Sequence, residues 1–172
     1  PEEIATAAPM VEQMLLAWQC HSTEKRKRVQ RDEQPIQSDT LGATQCSVTK
    51  KWYMSATASN YPEVTRALNE WLWWNLDPDS REWFRWTTVI INDNFQADRH
   101  RDRNNVGPSA IATFGDYVGG GLFVWPQQST SSGKPVPDKA LKQWDAQLID
   151  PWHSPAIMDG RLPHEVERYH GR

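Results

Sequence analysis

Three residues of this chain have the types and spacing of a metal-binding set: His100, Asp102 and His164. In an extended strand, side chains two positions apart share a face, so His100 and Asp102 are expected to point the same way. A histidine from a distant strand would place a second imidazole on the same side of a bound ion. Two imidazoles and one carboxylate leave coordination positions open, which is typical of a non-haem Fe(II) oxygenase.

Turn-forming sequences adjoin both halves of this set. Residues 104–109 (NNVGPS) follow the HxD pair directly and are expected to end the metal-bearing strand at the rim of a pocket. Residues 115–122 (GDYVGGGL) predict a tight turn whose glycines allow the backbone to approach a site closely. Residues 159–163 (DGRLP) predict a turn immediately before His164.

The HxD pair also has a plain structural interpretation, as part of a surface strand of alternating charge. Three arginines would then occupy its opposite face: Arg99, Arg101 and Arg103. They could line an approach to a phosphate backbone or simply be solvated. His164 could be a turn histidine bonded to the backbone, and His170 is the most credible rival ligand because it is close in sequence.

Four further residues are candidates for contact with a substrate: Asn92, Asn94, Asn105 and Tyr117. Asn92 and Asn94 could form hydrogen bonds to a substrate or cosubstrate, although turn formation explains them equally well. Tyr117 and Trp125 could stack on a base extracted from a nucleic-acid helix. For Trp125, ordinary core packing is the alternative interpretation.

Length and composition favour one compact domain without a membrane partner. The chain has 172 residues, and its net charge of −3 creates no field that requires nucleic acid or a membrane. No apolar run approaches membrane-spanning length, and Cys20 and Cys46 are too few for a disulfide framework. We therefore expect an intracellular protein. The basic run at residues 25–28 would make it nuclear if it is an import signal rather than a solvated loop.

The predicted elements are helices in the first half and short strands in the second. Apolar periodicity predicts a helix over residues 2–19, and Asn60 with Pro62 predicts a capped helix that ends at Asp77-Pro78. A strand is predicted at 52–54 and a largely buried one at 86–92. Shorter strands are expected around His100 and at 110–114, 122–125, 143–149, 156–158 and 165–169, with a loop at 127–139.

This order predicts an α+β fold, with a double-stranded β-helix (jelly-roll or cupin-like) core and supporting amino-terminal helices. Residues 1–85 would form the helical support and loop region. Residues 86–172 would form the catalytic core.

The segment WTTVIINDNFQADRHRDRNNVGPSAIATFGDYVGGGLFVW, followed by MDGRLPHEVERYHGR, resembles the 2-oxoglutarate- and Fe(II)-dependent dioxygenases. Within them it is most similar to the Tet/J-binding-protein branch, which oxidises the methyl group of 5-methylcytosine or thymine in nucleic acid. The H-x-D, GDY-x-GG and DG…PH motifs in this order are fairly specific for the superfamily and less so for the branch. The resemblance covers about residues 86–172.

The resemblance implies that His100, Asp102 and His164 are Fe(II) ligands and that Arg172 binds the distal carboxylate of 2-oxoglutarate. A guanidinium can grip a carboxylate through two parallel hydrogen bonds, which suits that role. It also implies oxidative decarboxylation to succinate, with ascorbate as a reductant, and DNA or RNA bearing a methylated base as the partner.

The chain departs from the family at its end. It stops at Arg172, where the family continues into at least one more core strand, so the core is expected to be truncated. Two alternatives to the nucleobase dioxygenase stay open. The truncated end leaves room for an inactive protein, and substrate choice in such enzymes depends on loops whose sequences do not identify the substrate. One is a dioxygenase acting on a protein side chain or small molecule, and the other is a catalytically inactive jelly-roll module that binds a partner through tryptophans.

Overall fold

A computed structural model describes residues 8–23, 36–46, 48–126 and 136–171. These residues belong to two compact units, the first extending to residue 95 and the second beginning at residue 96. Helices and antiparallel strand pairs make the chain a mixed α+β protein, which confirms the coarse fold class. Within the described ranges, no helix has the length and apolar character needed to span a membrane.

The helices of the first unit are α1 (Ala8–Ala17), α2 (Ala56–Asn60), α3 (Pro62–Asn75) and α4 (Pro78–Trp83). Helix α1 lies inside the predicted helix at 2–19, of which residues 2–7 lie outside the described part of the chain. Helix α3 confirms the second predicted helix and has Pro62 in its first turn.

The predicted cap of α3 is wrong. Asn60 belongs to α2, and Tyr61 occupies the cap position without a side-chain hydrogen bond. The reason is that Ser55 already starts a helix here, since its side chain accepts the N–H of Ala58.

Asp77 and Pro78 do more than end α3. The Asp77 side chain accepts the N–H of Ser80 at 2.9 Å and so caps α4, with Pro78 in the first turn. The hydrogen bonds from Ser80 lower the pKa of the Asp77 carboxyl below its ordinary value. The chain therefore re-enters a helix where the sequence predicted only a stop.

The sheet of the first unit contains β1 (Ser22–Thr23), β2 (Ile36–Gln45), β3 (Trp52–Met54) and β4 (Thr88–Asp93). Strand β2 pairs with β1 and β4 along its first part and with β3 from Ala43 onward. The change of partner occurs at Gly42, whose φ of 104° and close approach to the Thr87 carbonyl exclude a side chain.

Of these strands, β3 matches its prediction and β4 corresponds to the strand predicted at 86–92. Strand β4 pairs with β2 and so lies in the first unit. Strand β2 was not predicted, because its sequence IQSDTLGATQ is polar and only Ile36, Asp39 and Leu41 of it are buried.

The described residues of the second unit form seven short strands: β5 (Ser109–Ile111), β6 (Tyr117–Gly119), β7 (Leu122–Val124), β8 (Gln147–Ile149), β9 (Ala156–Met158), β10 (His164–Val166) and β11 (Tyr169–Gly171). Strand β7 lies between β10 and β8, while β5 pairs with β9 and β6 with β11. Two 3₁₀ turns, Asp138–Ala140 and Gln143–Asp145, precede β8.

The predicted strands of this half are confirmed at 156–158 and, within one residue, at 122–125. The strand predicted at 110–114 is shorter in the structure, where it covers Ser109–Ile111. The region 143–149 begins as a 3₁₀ turn and only then becomes β8. The segment predicted as one strand at 165–169 is two strands, β10 and β11, with different partners. Around His100 there are bridges, at Ala97 and at His100, instead of a strand. Of the predicted loop, residues 127–135 lie outside the described residues, and Asp138 and Lys139 form part of a 3₁₀ turn.

Strand β7 is buried on both faces, so it is the centre of the second unit. Leu122 and Val124 pack with Met158 on one face, and Phe123 packs with Trp125 and Leu141 on the other. Because side chains alternate between faces along a strand, one three-residue strand joins both clusters. Val124 is also the register partner of His164 in β10.

A matched pair of valines tests this assignment of the core. Val124 is 4% exposed and Val118 is 79% exposed, and both lie in strands of the second unit. We expect Val124→Ala to lower the free energy of unfolding by about 1.5–3 kcal/mol, because two buried methyl groups and their contacts are lost. Val118→Ala should change it by about 0.5 kcal/mol or less. Urea denaturation followed by circular dichroism would measure both, and equal losses would contradict the assignment.

Candidate metal centre

Backbone pairing brings the two candidate histidines side by side. His100 and His164 form an isolated antiparallel bridge, in which the N–H of each donates to the carbonyl oxygen of the other at 3.0 Å. Two residues along, the N–H of Asp102 donates to the carbonyl oxygen of Gly160 at 2.8 Å. Residues 100–102 therefore run antiparallel to residues 160–164, with both histidines at the same level.

The three predicted ligands are brought together. One ligand atom from each of His100, Asp102 and His164 lies within 4.8 Å of the other two. Nε2 of His100 is 3.6 Å from Oδ1 of Asp102, and the two imidazole centroids are 4.3 Å apart. The 3.6 Å between these two donor atoms is of the size expected for donors around one ion with bonds of about 2 Å.

The orientation of both imidazoles is set by the backbone. Nδ1 of His100 is 2.7 Å from the carbonyl oxygen of Asp98, and Nδ1 of His164 is 2.9 Å from that of Leu162. A carbonyl oxygen only accepts, so each Nδ1 carries the hydrogen and donates it. In the neutral rings Nε2 then keeps its lone pair, which is the form that binds a metal.

Burial supports the neutral form of His164, whose residue is only 7% exposed. Loss of hydration lowers the pKa of His164, and repulsion from His100 adds to this. The hydrogen bond to the Leu162 carbonyl and the charge of Asp102 act in the opposite direction. The net result is a pKa below the ordinary value, so the buried imidazole is unprotonated at neutral pH.

Exposure increases from one ligand to the next. The side chains of His100 and Asp102 are 17% and 44% exposed, so the site is open on the side of the carboxylate. Oδ2 of Asp102 accepts a hydrogen bond from Nδ2 of Asn105 at 3.3 Å. A second amide contact joins Nδ2 of Asn105 to Oγ of Ser109 at 2.9 Å.

Arg99 and Arg101, which flank His100, are held by other parts of the second unit. Arg99 pairs with Glu165 at 3.0 Å, donates to the carbonyl oxygens of Asp138 and Leu141, and lies 3.9 Å over the Trp125 ring. Arg101 donates through Nε and Nη2 to the Asp138 carboxylate at 3.0 and 2.7 Å.

Neither sequence interpretation of these arginines, phosphate contact or simple solvation, describes Arg99 and Arg101. Both anchor residues 138–141 to the segment that carries His100 and Asp102. Only Arg103 is exposed among the three.

Among the residues predicted to contact a substrate, Asn105 contacts the triad through Asp102. Asn92 and Asn94 belong to the first unit. Oδ1 of Asn92 accepts from Oγ of Ser38 at 2.8 Å, and Asn94 has a φ of 51°, as in a turn. The Tyr117 hydroxyl forms a hydrogen bond with that of Thr113, and burial raises the pKa of Tyr117.

Trp125 is fully buried and its Nε1 donates to the Lys142 carbonyl oxygen, so it packs in the core. His170 is exposed in β11 and is not part of the metal group. Arg172, the predicted partner of the cosubstrate, lies outside the described residues.

Sequence reasoning missed two features of the site. Gly160 lies against the Asn105 amide and the Asp102 carboxylate, and the carbonyls of Asp98 and Leu162 orient the imidazoles. The DG pair before His164 predicted a turn, which was the available signal for Gly160. The role of a backbone carbonyl cannot be predicted from residue type, because every residue has one.

Comparison with known proteins assigns no family. No family model matches the chain, and no curated protein or solved structure matches it either. The interpretation of the site therefore depends on the geometry and chemistry of its own residues.

Removal of any one ligand should abolish tight metal binding. We expect His100→Ala, Asp102→Ala and His164→Ala each to weaken Mn(II) binding by more than the roughly 10–100-fold that loss of a supporting residue costs. His170→Ala, which changes an exposed histidine outside the group, is the control and should bind like the unaltered chain. Isothermal titration calorimetry measures the affinities, and unchanged binding in the three variants would remove the metal assignment.

The anchoring role of Arg101 can be tested by a double-mutant cycle with Asp138. The two side chains are 23% and 38% exposed and form a two-point contact, so we expect a coupling energy of about 1 kcal/mol. The pair Arg66–Glu63, whose side chains are 65% and 79% exposed and whose closest charged atoms are 3.5 Å apart, serves as the control, with a smaller coupling. Thermal unfolding of the single and double alanine variants gives both values. Equal couplings would contradict the anchoring role.

Proposed function

We propose that this protein is an Fe(II)- and 2-oxoglutarate-dependent dioxygenase. Its proposed reaction is hydroxylation of the methyl group of a modified nucleobase such as 5-methylcytosine. The observation that carries the proposal is the triad itself, in which two imidazoles held through Nδ1 and the Oδ1 of Asp102 lie within 4.8 Å of one another. Two nitrogens and one carboxylate oxygen on one side of an ion form the donor set that suits Fe(II) and leaves positions open.

The donor chemistry fits a ferrous ion. The ligands are neutral imidazole and carboxylate, and neither Cys20 nor Cys46 belongs to the group, so no soft thiolate contributes. When bound, Fe(II) with 2-oxoglutarate and O₂ supplies oxidative decarboxylation to succinate and CO₂, with one oxygen atom entering the substrate C–H bond. The protein contributes the position of the ion and the access to it.

Differences in burial between the ligands indicate the side from which the site is accessible. His164 is closed in beside the core of β7 and β10, whereas the Asp102 side chain is 44% exposed. Cosubstrate and substrate would therefore approach from the side of Asp102. The resemblance assigns the distal carboxylate of 2-oxoglutarate to Arg172, which would grip it through two hydrogen bonds.

The second unit would form a double-stranded β-helix. Its short antiparallel pairs, β10–β7–β8, β5–β9 and β6–β11, support this, as does the placement of two ligands on one inter-strand bridge. The amino-terminal helices would provide the support that the sequence predicts.

A methylated nucleobase in DNA or RNA is proposed as the substrate on the strength of the sequence motifs. The HxD, GDY and DG…PH motifs occur in the order typical of the dioxygenase superfamily, and within it the segment is most similar to the Tet/J-binding-protein branch. Exposed Arg103, next to the ligand Asp102, is available for a phosphate contact. A nuclear location is proposed from the basic run at 25–28, which lies outside the described residues.

The direct test is turnover by the purified chain. With Fe(II), ascorbate, 2-oxoglutarate and a duplex containing 5-methylcytosine, we expect equal amounts of succinate and 5-hydroxymethylcytosine. His100→Ala and Asp102→Ala should produce neither, because each removes a ligand, while His170→Ala should retain activity. Mass spectrometry of the digested DNA and quantitation of succinate give the two yields.

Other outcomes separate the alternatives. Succinate formed with a peptide or a small molecule but not with nucleic acid would keep the dioxygenase and reject the nucleobase substrate. Saturable Mn(II) binding without succinate from any substrate class would leave an inactive binding module. Absence of metal binding would overturn the whole proposal.

A further inference from the structure

We infer that Asn105 is a positioning residue that, together with Gly160, determines how the Asp102 carboxylate meets a metal ion. The inference rests on the proposed metal centre, because it concerns one of its three ligands. It assigns Asn105 a role different from the substrate contact expected from the sequence.

The Asn105 amide is fixed between two acceptors. Its Nδ2 donates to Oδ2 of Asp102 at 3.3 Å and to Oγ of Ser109 at 2.9 Å. An amide nitrogen carries two hydrogens, so both are used. The backbone N–H of Asn105 also donates to the Asp102 carbonyl oxygen at 3.1 Å, which closes a turn. Ser109 is itself held at the start of β5 by pairing with Met158.

Gly160 encloses the same pair from the opposite segment. Its carbonyl oxygen accepts the N–H of Asp102 at 2.8 Å. A Cβ at this position would lie 3.0 Å from Nδ2 of Asn105 and 3.3 Å from Oδ2 of Asp102. Such a methyl group would press on both partners of the hydrogen bond. Glycine here leaves the amide–carboxylate contact undisturbed, whereas a Cβ would force it to shift by a few tenths of an ångström.

The consequence is that the two oxygens of Asp102 have different tasks. Oδ2 is occupied by Asn105, while Oδ1 lies 3.6 Å from Nε2 of His100 and is available to the ion. The Asp102 side chain is 44% exposed, so burial alone does little to restrain it. A freely rotating carboxylate could bind through both oxygens and take a coordination position that the cosubstrate needs. The hydrogen bond from Asn105 would restrict the Asp102 carboxylate to binding through one oxygen.

Binding of Co(II) without any substrate tests this role directly. Co(II) reports its coordination through visible absorption, so titration of the full chain yields both affinity and ligand geometry. We expect Asn105→Ala and Gly160→Ala to weaken Co(II) binding by about 10–100-fold and to change the absorption bands. Asn104→Ala, which alters the exposed neighbour, is the control and should match the unaltered chain. Circular dichroism verifies that each variant is folded.

Two comparisons keep the inference distinguishable from the proposed function. If the unaltered chain binds Co(II) and Asn105→Ala binds equally well with the same spectrum, the positioning role is overturned and the metal centre stands. If the unaltered chain binds no Co(II), the metal centre and the inference both fall. Should Asn105→Ala fail to fold, Ser109→Ala decides, because it removes only the second anchor of the amide. A weaker affinity in Ser109→Ala supports the role, and an unchanged affinity rejects it.

Discussion

The reciprocal hydrogen bonds between the backbones of His100 and His164 are the interaction on which the site depends. They bring together two segments that are far apart in sequence, and they place both imidazoles at one level. His164 is in turn held by β10, which pairs with β7 in the centre of the second unit. The geometry of the ligands is thus a consequence of core packing, since β7 is buried on both faces.

Side chains alternate between two faces along the extended segment 99–102, so the candidate ligands and the anchoring arginines lie on opposite faces. His100 and Asp102 point to the candidate metal centre, while Arg99 and Arg101 bind residues 138–141 on the other side. Arg99 combines an ion pair, two carbonyl contacts and the face of a buried tryptophan, a combination that a planar guanidinium satisfies better than lysine. The segment that carries His100 and Asp102 is therefore restrained on the arginine face and open on the face of the candidate ligands.

Where the sequence and the structure differ, the cause is distance along the chain in two cases and a local choice between helix caps in a third. The arginines next to His100 were interpreted as surface groups because Asp138, their partner, lies in a separate part of the sequence. Strand β2 was missed because most of its residues are polar. Backbone pairing with β1, β3 and β4 stabilises it instead of a periodic apolar pattern. The cap predicted at Asn60 was wrong because Ser55 starts an earlier helix, a choice between two adequate caps that local preference does not resolve.

Residue types and their spacing determined the main candidates by themselves: a HxD pair with period-2 alternation, a turn before His164, the helix at Pro62–Asn75 and several short strands. These are local properties, set by side-chain periodicity and backbone preference. Only the tertiary structure decided which of the other four histidines stands beside His100, which nitrogen of each imidazole faces the centre, and which oxygen of Asp102 is available to an ion. Those choices depend on backbone carbonyls, a glycine and a strand register that meet only when the chain is folded, because each partner comes from a different segment.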